Sequence, residues 1–155
     1  MSAKTTDKLI SVSDRSVNDL LDRARREIGQ YLCMGDGFVE MNLADELGKT
    51  YEVKIWSPGH YVSADEVRVH FKNQGFVGNT AAFIAWVIKH RPVSLHYTVP
   101  ETVLNGEEGR SYAPFCYQCK PCEWIEGPGA YDLGLSPVLN ELRGHGVFIA
   151  FREVQ

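Results

Sequence analysis

Between Asn79 and Pro92 the chain carries a helix-length segment in which Phe83, Ile84, Trp86, Val87 and Ile88 leave almost no polar face. A helix that is apolar all round has to be wrapped by other elements, because exposed patches of that size are uncommon on monomeric domains. Asn79 or Thr80 is its expected cap, Lys89, His90 and Arg91 complement its negative end, and Pro92 stops it. The rest of the chain must therefore supply the sheet and helices that bury this segment, which is expected at the centre of the core. Its strongly apolar run, 81–88, is far short of the roughly 20 residues that a bilayer span needs.

A length of 155 residues suits one domain that buries a real core without needing disulfides or metal. No repeat, charge block or linker divides it, so residues 13–155 are expected as a single domain and residues 1–12 as a polar, frayed leader. The opening residues Met1–Asp7 have no apolar stretch of signal-peptide length, and the chain is expected to be soluble and cytoplasmic. Its formal net charge of −4 argues against nucleic acid as a direct ligand, since neutralising many phosphates wants a basic face.

The periodicities alternate between helix and strand. Val17, Leu20, Leu21, Ala24, Ile28, Tyr31 and Leu32 form a helical stripe between Ser13 and Cys33, with Ser16 and Asp19 placed as a capping box. Phe38–Leu43 and Thr50–Trp56 read as a hairpin turned at Asp45–Lys49. Ser63-Ala-Asp-Glu66 opens a helix that should stop at Gly75, with Val67, His70 and Phe71 inward. Val93–Val99 alternates as a strand, Asn105-Gly106 and Gly109 turn the chain, and a strand runs from Tyr112 towards Gln118. A glycine-rich loop over 126–135 leads to Ser136-Pro137, read as the start of a short helix to Arg143, and Val147–Glu153 is the last strand. The expected architecture is α+β: a mostly antiparallel sheet of about five to six strands packed against three to four helices.

Cys116, Cys119 and Cys122 have the two-residue gaps at which a turn gathers sulfurs around one metal ion. On a continuous strand, alternation would place Cys119 on the face opposite Cys116 and Cys122, so a site needs a bend, and Lys120-Pro121 can supply one. The three cysteines are the candidate ligands of a structural zinc, with Cys33 or a histidine completing the set; ordinary buried thiols are the alternative, and no other cofactor is expected. An iron–sulfur cluster lacks a nearby fourth cysteine, and Cys119-Lys-Pro-Cys122 lacks the following helix that activates a redox dithiol.

An enzymatic reading pairs Cys33 as nucleophile with His145 as base and Gln30 as an oxyanion donor. The strand opening at Gly144-His145-Gly146 resembles the setting of the base in papain-like hydrolases, which implies a hydrolase or transferase. Other motifs are absent. No histidine is followed two residues later by an acidic residue, as a nucleobase deaminase requires, and His96-Tyr-Thr98 has no second copy for a two-histidine phosphoesterase. Phosphate-binding and dinucleotide-binding glycine motifs, a nucleophile elbow and a zincin helix are also missing.

The chain is rich in aromatic residues around the cysteine cluster. Tyr112, Phe115, Tyr117 and Trp124 lie near the carboxylates Glu107 and Glu108, and aromatics with charged rims are what protein-recognition surfaces use. The leading expectation is a small regulatory or inhibitory domain that docks on another protein without catalysis. Its acidic character points to a basic partner, and no membrane is involved.

Overall fold

In a computed structural model of the chain, the structure describes residues 8–29, 32–34, 43–92, 94–99, 101–102, 111–118, 131–137 and 146–154. Its elements run β1 (Leu9–Val12), α1 (Val17–Ile28), β2 (Leu32–Met34), a 3-10 turn (Ala44–Glu46), β3 (Lys49–Trp56), α2 (Ala64–Lys72), α3 (Thr80–His90), β4 (His96–Thr98), β5 (Glu101–Thr102), β6 (Ser111–Gln118), β7 (Tyr131–Pro137) and β8 (Val147–Glu153). The strands form one sheet in the order β1-β3-β8-β4-β6-β7-β2, with β5 beside β6.

The class is α+β, but the sheet differs from the sequence expectation in number and direction. Among the described residues it has eight strands, one of them the two-residue β5, and it is mixed: β4 runs parallel to β8 and β2 parallel to β7. The expected hairpin before Trp56 is also corrected. Both sides of β3 are taken by distant segments, β1 through Leu9↔Glu52 to Val12↔Lys49 and β8 through Tyr51↔Glu153 to Trp56↔Phe148. Leu9–Val12 is thus an edge strand within what the sequence suggests is leader, and Ile10 and Val12 are buried. Phe38 lies outside the described residues, as does the short helix expected up to Arg143; Ser136 and Pro137 themselves belong to β7.

Helix α1 is shorter than its stripe because the local stop overrides the periodicity. Ser16 accepts a hydrogen bond from Asp19 N–H at 3.1 Å, Leu20, Leu21 and Ala24 face inward, and Gly29 leaves at φ 101°, a conformation that favours glycine. The chain is then free to extend, so Leu32 and Cys33 fall on a strand. Helix α2 carries the full capping box between Ser63 and Glu66, and Gly75 turns the chain beyond it at φ 84°. Helix α3 is buried from Thr80 to Ile88. It ends at Arg91, whose backbone is left-handed at φ 47° and whose guanidinium donates to the Glu27 carbonyl at the end of α1.

Two clusters sandwich the sheet. On one face α1 and α3 pack with Ile10, Val12, Tyr51, Cys116, Leu133, Ile149 and Phe151. On the other, Val67 and Phe71 of α2 pack with Phe76, Tyr97, Val99, Phe148 and Ala150. Strand β8 is apolar on both faces because helices cover both, which is why Val147–Phe151 reads as a continuous apolar run.

The start of α3 is held from a distance. Asn79 Oδ1 accepts from Ala82 N–H at 2.8 Å, and Glu46 Oε1, carried on the 3-10 turn, accepts from Ala81 N–H at 2.9 Å. Burial pushes the Glu46 carboxyl above its ordinary value, outweighing the backbone N–H groups of Ala81 and Thr80 that favour its charged form. The folded state therefore holds this proton more tightly than the unfolded chain does. The associated stability is fullest below the ordinary glutamate value and falls as pH rises through the elevated folded value. Glu46→Gln keeps the acceptor without the charge and is expected to match or exceed the wild type at pH 7, whereas Glu46→Ala should lose about 0.5–2 kcal/mol. Urea unfolding of both variants at pH 4.5 and pH 7 measures the difference.

Candidate recognition face

Side chains directly opposite one another on paired strands share a face, and alternate residues of one strand do too. The register therefore builds a row of rings across the face that α2 covers. Phe115 on β6 sits opposite Tyr97 on β4, Tyr97 opposite Phe148 on β8, and Phe148 opposite Trp56 on β3. Ring centres are 6.4 Å apart for Phe115 and Tyr97, 5.5 Å for Tyr97 and Phe148, and 6.2 Å for Phe148 and Trp56. Trp56 then stacks on His70 of α2 at 3.8 Å with planes 10° apart. At the other end Tyr117 stacks on Phe115 at 6.1 Å.

The middle of this row is core and its ends are not. Phe148 is fully buried and Tyr97 nearly so, while Trp56, His70, Phe115 and Tyr117 are partly exposed. Among the described residues, the cluster beneath α2 reaches Phe115 at its margin and stops there. The Phe115 ring occupies space that a side chain on its cross-strand neighbour would crowd. Gly134 on β7 lies opposite it, and a Cβ there would come within 3.2 Å of the Phe115 ring. The row continues across β7 and β2 as Asp132, opposite Tyr117, and Cys33, opposite Asp132.

The same register separates two cysteines. Cys33 pairs with Asp132 whereas Cys116 pairs with the adjacent Leu133, so the two sulfurs lie on opposite faces of the sheet. Cys33 cannot complete a metal site with Cys116 in this fold, which corrects that combination. Cys33 is exposed, and Cys116 is wholly buried in the core on the face packed by α1 and α3. Burial pushes the Cys116 thiol up to about 12, and its neighbour Tyr131 is also shifted upward, mainly by burial. The Tyr131 hydroxyl donates to the Pro92 carbonyl at 2.6 Å. Burial at this position favours the thiol form of Cys116 over the thiolate.

Of the other residues singled out by sequence, Gln30, Glu107, Glu108, Cys119, Cys122, Trp124 and His145 lie outside the described residues. Tyr112 is on β6, its backbone paired with Pro137 and Glu101. Among the described residues no group of three or more His, Cys, Asp or Glu side chains is placed to hold a metal ion, and no helix is long and apolar enough to cross a membrane. The aromatic residues singled out from sequence include Phe115 and Tyr117 but not Tyr97 and Phe148. Both sit in alternating or apolar strand runs, yet only the pairing of β4 with β6 and β8 shows that they bridge the two ends. No protein-family model, curated protein or solved structure matches the chain.

Proposed function

We propose that the chain is a small regulatory or inhibitory domain that docks on another protein, without chemistry of its own, through the aromatic end of the sheet at Phe115 and Tyr117. One observation carries the reading: an aromatic row anchored in the core emerges partly exposed where the cluster under α2 stops. Rings held by packed neighbours lose little conformational freedom on binding, which is why such anchors dominate interface energetics. The partner's chemistry follows from the overall acidity and from Glu107 and Glu108 nearby in sequence, which favour a basic rim.

The experiment compares baits in extract of the native host: wild type, Tyr117→Ala, the charge reversal of Glu107 and Glu108 to lysine, and Cys33→Ser. A partner retained by wild type and Cys33→Ser should be weakened at least about tenfold by Tyr117→Ala, the scale of a moderate hot spot. The charge reversal should weaken it less. Retention of every partner by a correctly folded Tyr117→Ala would sink the docking reading. Loss of function in Cys33→Ser alone would instead favour the cysteine hydrolase or transferase.

A further inference from the structure

At the far end of the sheet from Tyr117, on the β3 and β8 side, a cleft of about 490 Å³ is lined by Lys8, Glu52, Lys54, Ile55, Gln74, Phe76 and Arg152 among others. That volume is within the range of small-ligand sites, roughly 300–1,000 Å³. Its charge is opposite to that of the whole chain. Three cations and one carboxylate surround it in a protein whose formal net charge is −4. The carboxylate is already engaged, since Arg152 Nη2 donates to Glu52 Oε2 at 2.8 Å. Neither Lys8 nor Lys54 forms an ion pair among the described residues.

The cations are also positioned. The Phe76 ring, almost wholly buried, carries the Arg152 guanidinium 4.6 Å from its centre and the Lys54 ammonium 5.6 Å from it. Arg152 Nη1 reaches the Gln74 carbonyl at 3.5 Å. Lysines on an outer strand guard against unwanted edge pairing. That role asks for neither a shared aromatic platform nor a cleft. Glu52 offsets one of the three cations, which leaves the lining net positive, and a charge-assisted hydrogen bond to an oxyanion is what lysine and arginine offer best.

We infer that this cleft is an oxyanion-binding site, taking the carboxylate or phosphate group of a ligand between Lys8, Lys54 and Arg152, with Ile55, 54% exposed, against the ligand's apolar part. The inference is independent of the docking reading, because the cleft shares no residue with Phe115 or Tyr117.

The test is an amide NMR titration of the full chain in low-salt, phosphate-free buffer, using inorganic phosphate in one arm and a hexaglutamate peptide in the other. Saturable shifts centred on Lys54, Gln74, Phe76 and Arg152 are expected with at least one probe. Saturation by phosphate alone identifies a phosphate ligand; saturation by the peptide identifies a carboxylate one. Lys54→Glu should weaken binding at least about tenfold, and Lys8→Ala, which leaves the sheet pairing untouched, should weaken it by a smaller factor. Tyr117→Ala should leave the titration unchanged. Three results overturn the site: no saturation with either probe, equal shifts around surface lysines such as Lys72 and Lys89, or wild-type affinity in both lysine variants.

Discussion

Phe148→Ala is expected to cost about 3–5 kcal/mol, the range for removing a buried aromatic ring. The ring is wholly buried on β8 and touches both sides of the aromatic row, Tyr97 at 5.5 Å and Trp56 at 6.2 Å. Truncation removes its transfer free energy and leaves a cavity that neither strand can collapse into, because β3 and β4 pair with β8 on either side. Against a total stability of about 5–15 kcal/mol for an ordinary domain, this is a large fraction. Urea unfolding followed by far-UV and near-UV circular dichroism measures it. The near-UV signal of Trp56 should change even where the far-UV spectrum does not, since Trp56 loses one of its ring neighbours. A loss below about 1 kcal/mol would mean that the row is not core at its centre.

Trp86→Ala is the second large effect and has two readouts. Trp86 on α3 is only 6% exposed, with Phe83 stacked at 6.5 Å and His90 and His96 at 5.0 and 5.4 Å. Its removal should cost about 3–5 kcal/mol. It should also change the titration of His96, whose imidazole is held below the ordinary histidine value by burial, partly offset by the Ser94 carbonyl. That carbonyl is 2.8 Å from Nδ1, which must carry a proton to donate to it. Because the folded value is depressed, the unfolded chain binds more protons than the folded one between the two values. Stability therefore rises with pH through that window and falls as pH drops from the ordinary histidine value towards the lower folded one. Opening the site by Trp86→Ala should move His96 back towards its ordinary value and flatten this slope. NMR titration of the histidine ring protons gives the shift directly, and unchanged titration of His96 in a folded variant would remove Trp86 as the cause of its burial.

What the sequence displayed was governed by neighbours along the chain. Ser16, Ser63 and Asn79 all cap as their local patterns indicate, and the near-absence of polar positions on α3 does place it in the core. The errors come from contacts over long separations. β3 was expected to pair with a strand just before it, whereas it pairs with Leu9–Val12 on one side and with Val147–Glu153 on the other. Alternation in Tyr51, Val53 and Ile55 indicates a strand but carries no information about which strand lies beside it. Gly29 shows the complementary failure: an apolar stripe continued past it to Leu32, and one left-handed residue ended the helix. For the site, aromatic enrichment was visible from composition. The row through Tyr97 and Phe148 required the register, as did the placement of Cys33 and Cys116 on opposite faces.

The position of β8 sets an order of events during synthesis. It lies between β3 and β4 and, of the described strands, leaves the ribosome last. Until it arrives, β1 and β3 have no backbone connection to the β4–β6–β7–β2 half, and the β3 side facing β8 presents unpaired N–H and C=O groups. At roughly 5–20 residues per second that interval is on the order of ten seconds. During that interval the open side of β3 is exposed to edge-to-edge association, and a factor that shields it would raise the yield of folded protein without altering its final stability.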